Sequence, residues 1–361
     1  MNIDHNTYEA VTHLRRRLHQ CPEPSGCEKK TMEILKAFLK KHTSMEIIEK
    51  TGWFYAVHLE GHPEDSVAFR ADMDAIRGED GEFFHGCGHD GHSAVLAGLG
   101  LLLEGETVGK DVYLIFQPSE ETGQGAVLCS GLIDEKGIRE IYGFHNLPGY
   151  PLGKAVLKKG TFACASKGLI LSLKGKQSHA AYPEQGINPA WLIGELIVKI
   201  PELLHAPHFT GMVLATIVEV KLGSQSFGVS PGEGRISLTL RGEKLEDLIR
   251  FEESVVSFTQ KQAAERLIEV RISSTEEFPD TVNEADMVNR CGQKLLEQEI
   301  PFMEIQEPFR WSEDFGWYLK KTQGMFFGVG AGADCPWLHT KDYEFPDEVI
   351  KTALLSMKAF L

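Results

Sequence analysis

Three apolar stretches of this sequence, each typical of a buried β-strand, end in side chains that can bind a cation or carry a proton. They are Val67–Ala71, followed by Asp72 and Asp74; Val112–Gln117, followed by Glu120 and Glu121; and Ile141–His145, which ends in a histidine. In open α/β sheets, functional sites lie beyond the carboxyl ends of the strands. We therefore predict that these polar strand ends line one site.

Helical and strand-like patterns alternate through the first half of the chain. Apolar residues are spaced for one helix face in Tyr8–Gln20, and Thr31–Lys40 and Ser93–Leu103 also have helical patterns between the strand-like stretches. This alternation predicts an α/β fold in which a mostly parallel central sheet is flanked by helices.

The middle of the chain has a different pattern, in which strands alternate between apolar and polar residues. The predicted strands are Gly168–Lys174, Val213–Val220, Arg235–Arg241 and Ile268–Ser273, and the predicted helices are Pro189–Leu204 and Leu245–Arg266. We predict an inserted α+β lid domain, with a four-stranded sheet and two helices, over residues 166–274. Residues 1–165 and 275–361 then form one discontinuous catalytic domain.

Charge and cysteine usage limit the classes of partner and compartment. The formal net charge of -15 repels phosphate backbones, so nucleic-acid binding is not predicted. The polar start Met1–His5 predicts no signal peptide, and the apolar run 94–103 is too short to span a membrane. Seven irregularly spaced cysteines fit a reducing compartment, and we predict a cytoplasmic protein without a membrane partner.

The densest set of ligand-type side chains is the loop Phe84-His85-Gly86-Cys87-Gly88-His89-Asp90-Gly91-His92. Imidazole and thiolate are common ligands of zinc-like ions, and glycine allows a short loop to bring two side chains onto one ion. The chain has no Cys-x-x-Cys pair, so a closed structural zinc site is not predicted. A polar loop before a helix is the alternative, but a cysteine flanked so closely by histidines favours metal binding.

Two adjacent carboxylates, Glu120 and Glu121, follow the strand that ends at Gln117. Side chains of consecutive residues diverge. One of the two can therefore bind a cation while its neighbour holds the attacking water and moves protons. An ordinary charged turn is the alternative for this pair alone.

A single histidine, His339, lies far from the other motifs in the sequence, and a lone histidine is more often structural. The glycines Gly328, Gly330 and Gly332 that precede it indicate tight packing around a site. The same glycines loosely match the dinucleotide-binding pattern, but Pro336 follows before a helix can begin. An oxidoreductase is therefore not predicted.

Taken together, six motifs resemble the aminoacylase and carboxypeptidase group of two-metal peptidases, and within it the amidohydrolase branch. That branch includes hippurate hydrolases, auxin-conjugate hydrolases and N-acetyl-diaminopimelate deacetylases. The motifs are Arg70-Ala71-Asp72-Met73-Asp74, Cys87-Gly88-His89-Asp90-Gly91-His92, Gln117-Pro118-Ser119-Glu120-Glu121, Phe144-His145-Asn146, Ser312-Glu313-Asp314-Phe315 and Leu338-His339. The resemblance implies hydrolysis of the amide bond of N-acyl amino acids or closely related small amides.

The resemblance also implies two divalent metal ions per chain. Zinc and manganese are the expected ions, with nickel and cobalt as alternatives. The implied ligands are Cys87, His89, Glu121, His145 and His339, and the Cys87 thiolate is expected to bridge the two ions.

By the same resemblance, Glu120 is the general base that activates the attacking water, and Asp74 orients the metal-binding loop. His179 and Asn146 are implied to bind the substrate. His179 belongs to a segment, Gln177–Pro183, that resembles a lid motif. It is implied to stabilise the oxyanion, in the partner subunit's site of a homodimer formed through the lid.

Two other hypotheses stay open. The first is a dipeptidase or aminopeptidase that uses the same ions, and the second is a metal-dependent binding protein that has lost catalysis. Retention of Glu120 argues against the second, because a binding protein needs no base. The segment between Asp74 and His85 is shorter than is usual in this branch. Since that segment normally forms part of the pocket wall, the substrate class stays open.

Overall fold

A computed structural model describes residues 3–205 and 208–361. Its helices are α1 His5–His19, α2 Lys29–His42, α3 His89–Leu103, α4 Gly125–Cys129, α5 Gly131–Lys136, α6 Ala190–Leu204, α7 Leu245–Glu265, α8 Ala285–Glu297, α9 Gly316–Leu319 and α10 Glu348–Phe360. Among these residues, no helix is both long enough and apolar enough to cross a membrane.

The strands range from two to ten residues in length. They are β1 Glu46–Lys50, β2 Trp53–His58, β3 Val67–Asp72, β4 Ile76–Arg77, β5 Phe83–Phe84, β6 Val112–Gln117, β7 Glu140–Pro148, β8 Ala155–Leu157, β9 Gly160–Ala163, β10 Ala165–Lys174, β11 Ser178–His179, β12 Val213–Leu222, β13 Val229–Ser230, β14 Glu233–Gly242, β15 Glu269–Phe278, β16 Thr281–Asn283, β17 Phe302–Glu304 and β18 Gln323–Gly332.

The chain divides into two compact units. The first contains the described residues of 1–162, 281–308 and 314–361, and the second contains those of 163–280 together with 309–313. The short segment 309–313 belongs to the second unit, where the N–H of Cys164 donates to the carbonyls of Phe309 and Trp311. The predicted role of the insertion as a lid or dimerisation domain stays a prediction.

The first unit is built around an eight-stranded sheet with the order β1-β2-β6-β3-β7-β18-β8-β17. The pairs of β3 with β6, β3 with β7 and β7 with β18 are parallel, whereas β1 and β2 add an antiparallel edge. Every residue of β3 and β6 is buried, as expected for strands covered on both faces. The predicted α/β fold with a largely parallel central sheet is confirmed.

Helix α3 lies in the core of this unit and begins at the loop that carries Cys87. All but two of its residues are buried, which explains why residues 94–103 are all apolar or glycine. A Cβ atom at Gly98 would lie 2.6 Å from Cγ2 of Val11, so glycine is required for α1 to approach. The close packing fixes the start of α3, where His89 and His92 are located.

A buried arginine links the ends of β3 and β6 to the loop before α9. The side chain of Arg70 is 1% exposed. It donates to Asp72 at 2.7 Å, to Gln117 at 2.8 Å and to Asp314 at 2.6 Å. Gln117 in turn donates to both oxygens of Asp314. The strand ends are therefore held together by a charged network that excludes water.

Replacing Arg70 with methionine is expected to destabilise the fold by about 3–5 kcal/mol, because two buried carboxylates would lose their cation. The measurement is urea unfolding. The matched control is Arg16→Met, in which an exposed arginine paired with Asp347 is lost and the expected cost is below about 1 kcal/mol. Equal losses of unfolding free energy in the two variants would show that the buried network stabilises the fold no more than an exposed ion pair does.

The second unit contains a four-stranded antiparallel sheet with the order β12-β14-β10-β15. Alternate residues of β14 are buried, which matches the predicted two-sided strand pattern. The buried face packs against α6 and α7, where Leu248, Phe251 and Val255 are spaced for one helix face. The predicted small α+β sheet layer is confirmed.

Candidate metal centre

The loop between β5 and α3 brings Cys87 and His89 to the carboxyl edge of the central sheet. Gly88 adopts a positive φ of 95°, and a Cβ atom there would lie 2.5 Å from Oδ1 of Asn146. Glycine is therefore required at this position. The backbone N–H of His339 donates to the carbonyl of Gly86 at 2.8 Å, so the same loop also holds the distant histidine.

Ligand-type atoms form two groups of three that share one thiol. The first group is Cys87, His89 and His145, and the second is Cys87, Glu121 and His339; within each, the ligand atoms lie within 4.8 Å of one another. The Cys87 sulfur lies 3.4 Å from Nε2 of His145. Nε2 of His339 lies 3.7 Å from Oε1 of Glu121. The structure thus brings together all five predicted ligands.

Hydrogen bonds fix the orientation of the two buried imidazoles. Nδ1 of His145 lies 2.8 Å from the carbonyl of Asn146, and Nδ1 of His89 lies within hydrogen-bond distance of the carbonyl and the carboxylate of Asp74. Because these partners can only accept, each Nδ1 donates its proton. Burial lowers the pKa of His145 well below its ordinary value, so its Nε2 keeps the lone pair with which histidine binds a metal ion. Burial opposes protonation of His89, but the charges of Asp72 and Cys87 outweigh it and raise its pKa well above the ordinary value; a cation bound at Nε2 of His89 would replace this proton.

Two atoms of these groups lack any hydrogen-bond partner although they are buried. They are Nε2 of His89 and Oε1 of Glu121, which lie 3.8 Å apart. Buried polar atoms are nearly always satisfied, so two unsatisfied atoms that face each other fit a cation bound between them. The set of one sulfur, three nitrogens and one carboxylate suits zinc-like ions. The residues present therefore fit a divalent metal pair.

The electrostatics of the edge also favour a cation. Burial raises the pKa of Glu121 to about 7, against the opposing charge of His89. Burial raises the pKa of the Cys87 thiol well above its ordinary value, and the negative charge of Glu121 adds to the effect. Both pKa values rise because the ionised carboxylate and the ionised thiolate would be buried away from water. A bound divalent cation would stabilise these two ionised forms.

A further group, Asp72, His89 and His92, also lies within ligand distance. Both oxygens of Asp72 are already engaged, by His92 at 2.7 Å and by Arg70 at 2.7 Å. Burial opposes ionisation of Asp72, but the charges of His89, His92 and Arg70 outweigh it and hold its pKa well below the ordinary range. Asp72 is therefore a fixed anion beside the centre, with its oxygens engaged elsewhere.

Asp74 connects three parts of the centre. Its Oδ1 accepts from His89 at 3.1 Å, and its Oδ2 accepts from the hydroxyl of Ser25 at 2.6 Å and from the N–H of Glu121 at 3.1 Å. It thus orients one ligand through the side chain and another through the backbone. This geometry supports the predicted orienting role of Asp74, which stays a prediction.

Glu120 is buried, and its Oε1 accepts from the backbone N–H of Asp314 at 3.4 Å. Its carboxylate lies within 4.8 Å of ligand atoms of His89 and Glu121. It is a member of neither group that contains Cys87. The structure therefore places the Glu120 carboxylate beside the two ligand groups, and its predicted role as the general base stays a prediction.

Residues 68–361 match the sequence profile of Peptidase family M20/M25/M40. The chain belongs to this family. An uncharacterized hydrolase of Staphylococcus aureus (strain bovine RF122 / ET3-1) is 26% identical over 374 residues, which cover 96% of this chain and 95% of the relative. The predicted family is confirmed, and with hydrolases among its relatives the chain is an enzyme of the hydrolase class.

Solved structures show the same fold. The YXEP protein of Bacillus subtilis, described as a dinuclear metal binding peptidase from the M20 family, has a TM-score of 0.82 at 24% identity, covering 99% of this chain and 98% of its own. The aminobenzoyl-glutamate utilization protein of Klebsiella pneumoniae has a TM-score of 0.76 at 17% identity, covering 98% and 95%. Because both sequence identities are below 25%, the structural similarity establishes the fold of this chain and nothing more.

Two residues predicted to bind substrate have different surroundings. Asn146 is fully buried; its Oδ1 lies 2.5 Å from Nε2 of His92 and its Nδ2 donates to the hydroxyl of Tyr343. To bind substrate through its side chain, Asn146 would have to give up its hydrogen bond to His92 or to Tyr343. His179 is an exposed residue of the second unit, where Nδ1 accepts from the N–H of Ala181 at 3.0 Å. Both substrate-binding roles stay predictions.

Sequence reasoning missed several residues that support the centre. Arg70 stands out from the sequence only as part of a motif, although a charged residue inside an apolar strand indicates a buried partner. Ser25 contacts Asp74, and Glu28 contacts Ser119 in the turn before Glu120. Neither residue could be assigned to the site from the sequence, because both lie far from the ligand motifs along the chain. Only the folded sheet brings them to this edge.

Proposed function

We propose that this M20 enzyme hydrolyses the amide bond of N-acyl amino acids, or of closely related small amides, at a centre of two divalent cations. The proposed ligands are Cys87, His89, Glu121, His145 and His339. The observation that supports the proposal most strongly is the pair of three-residue groups that share the Cys87 thiol. With one thiol common to the two groups, Cys87 would contribute to holding both ions.

When bound, two divalent cations polarise the amide carbonyl and lower the pKa of a water molecule toward neutrality. In the proposed mechanism, the Glu120 carboxylate takes a proton from the attacking water as the water oxygen bonds to the carbonyl carbon. Glu120 then delivers this proton to the leaving nitrogen as the C–N bond breaks. Its bond to the Asp314 N–H helps to fix the position of this carboxylate beside the ligand groups.

His89 and His145 have a supporting part in this mechanism. Their Nδ1–H groups donate to Asp74 and to the carbonyl of Asn146, so that their rings cannot rotate away from the centre. Fixed ligands reduce the reorganisation that accompanies charge development in the transition state. Asp74 is proposed to act through His89 and Glu121 rather than on the substrate itself.

The substrate class draws support from the neighbouring folds. The Klebsiella protein is named for aminobenzoyl-glutamate, which is an amino acid acylated on its nitrogen. The Bacillus protein is described as a peptidase, which favours the second hypothesis of a dipeptidase or aminopeptidase with the same centre. Either substrate would be cleaved by the same water attack, so the two hypotheses differ only in what the amide nitrogen and carbonyl carry.

A substrate panel distinguishes these hypotheses. The enzyme, loaded separately with zinc and with manganese, is assayed on acetyl, benzoyl and indole-acetyl amino acids and on free di- and tripeptides. We expect kcat/KM to be higher for the N-acyl amino acids, the proposed substrate class, which lack the α-ammonium group that a free dipeptide carries beside its scissile carbonyl. A preference for free peptides would instead establish the peptidase hypothesis, and metal binding without any turnover would favour a binding protein.

We further propose that the enzyme forms a homodimer through the second unit and that His179 helps to stabilise the oxyanion. Strand β12 lies at the edge of its sheet and exposes Val218 and Val220. An exposed apolar edge strand is suited to pairing with another chain. A cytoplasmic location remains a prediction from cysteine usage.

A further inference from the structure

A short segment before α2, residues 22–28, packs against the loops that follow β3 and β6. The backbone N–H of Ala75 donates to the carbonyl of Glu23 at 2.8 Å. The hydroxyl of Ser25 donates to Asp74. The segment lies outside residues 68–361, the part of the chain that matches the family profile. It therefore supports the centre from a part of the chain that is distant in the sequence from the proposed ligands.

Glu28 is the residue of this segment that reaches the turn before Glu120. Its side chain is buried, with the residue only 2% exposed. Its Oε1 accepts two backbone N–H groups, from Gly26 at 2.8 Å and from Ser119 at 2.8 Å. One carboxylate oxygen thus ties the segment before α2 to the turn after β6.

The residue that Glu28 holds has an unusual backbone conformation. Ser119 has a positive φ of 55°, in the left-handed region that residues with a side chain rarely adopt. Its carbonyl accepts from the N–H groups of Gln124 and Gly125 at 3.3 and 3.2 Å. Such a conformation persists only where surrounding contacts enforce it, and the contact at the Ser119 N–H comes from Glu28.

Glu120 follows Ser119 directly, so the φ and ψ of Ser119 set the direction in which the Glu120 side chain leaves the backbone. We propose that Glu28 is a positioning residue that holds Ser119 in its left-handed conformation and thereby aims the Glu120 carboxylate. This inference rests on the proposed function, because it gives Glu28 an effect on turnover only through the base. Glu28 itself touches neither the substrate nor a proposed ligand.

The chemistry of Glu28 shows which replacement should preserve its effect. Burial raises the pKa of Glu28 to about 7, with a contribution from the charge of Asp74. What the turn requires is an oxygen that accepts two N–H groups, and a glutamine amide oxygen can do this at the same place. Glutamine is therefore a conservative replacement at position 28, whereas alanine removes the acceptor.

The test compares Glu28→Ala with Glu28→Gln and with Glu23→Ala as the matched control. Glu23 is a carboxylate of the same segment that accepts from the N–H groups of Lys30 and Thr31 at the start of α2, so its loss affects the helix without affecting the turn. We expect Glu28→Ala to lower kcat roughly 10- to 100-fold with KM and metal content unchanged. Glu28→Gln and Glu23→Ala should stay within about twofold of the wild-type kcat, since neither removes the acceptor at Ser119.

Two further measurements separate positioning from a general loss of stability. In a Glu120→Gln background, Glu28→Ala should cause no additional loss of rate, because the residue that it positions is already disabled. Amide hydrogen exchange of the peptide that contains residues 119–125 should accelerate in Glu28→Ala and remain unchanged in Glu23→Ala. The exchange measurement needs no substrate.

The possible outcomes are distinct. Equal kcat losses in Glu28→Ala and Glu23→Ala, or unchanged exchange of residues 119–125 in Glu28→Ala, would overturn the positioning inference while leaving the proposed function intact. A wild-type enzyme that hydrolyses nothing in the substrate panel would refute the proposed function. In that case, faster exchange of the turn in Glu28→Ala alone would still establish that Glu28 holds Ser119, and unchanged exchange would refute it.

Discussion

Replacing Glu120 with glutamine is expected to lower kcat by roughly 10²- to 10⁴-fold, the usual contribution of general acid–base catalysis, while metal content stays at the wild-type level. Glutamine keeps the size of the side chain and an oxygen that can accept the Asp314 N–H. It cannot take a proton from water, so the loss should appear in the chemical step. The measurements are kcat and KM with the best substrate of the panel, together with elemental analysis of the dialysed protein.

The matched control is Glu121→Gln, since the neighbouring glutamate belongs to the group with Cys87 and His339. This variant should lose metal as well as turnover, because a neutral amide is a weaker ligand than a carboxylate. The contrast between the two adjacent residues is the informative result. If Glu120→Gln lost metal and Glu121→Gln kept it, the roles of base and ligand would have to be exchanged.

Replacing Cys87 with alanine is expected to weaken metal binding at both positions, by at least roughly 100-fold, because even residues that only orient ligands contribute 10- to 100-fold. Cys87 is the residue shared by the two ligand groups. His145→Ala, which removes a member of the first group only, should affect one position and spare the other. The measurement is metal stoichiometry after dialysis, supported by thermal unfolding with and without a chelator.

A loss of metal in Cys87→Ala must be separated from the cost of emptying a buried site. Cys291 is fully buried in α8 of the same unit and belongs to no ligand group among the described residues. Cys291→Ala should therefore lower stability while leaving both metal equivalents in place. Retention of one full equivalent by Cys87→Ala would argue against a shared thiolate.

Much of this architecture could be predicted from the sequence because its signals are local. The apolar runs of β3 and β6 predict buried strands, and the rule that sites lie at strand ends is enough to assign Glu121 to the site. The predicted end of the third strand at His145 is wrong: β7 continues to Pro148, because its pairing with β18 extends past the histidine. Cys87 and His89 stand out because glycine separates them. These signals depend on neighbours in the chain, which a sequence displays directly.

The support of the centre could not be predicted, because it depends on residues that are distant in the sequence. Glu28 and Ser119 meet only after β6 has been placed in the sheet. The strained φ of Ser119 leaves no trace in the sequence, since serine is common in ordinary turns. The three partners of Arg70 likewise come from separate segments, and no local pattern connects Arg70 with Asp314.

The sharing of Cys87 by two ligand groups has a consequence for the order of events during translation. All three members of the first group have been synthesised once the ribosome has passed residue 145. The second group waits for His339, on the far side of the whole inserted unit. The two groups are therefore completed at different stages of synthesis. The second group could hold an ion only after the segment that carries His339 has folded onto the loop that carries Cys87.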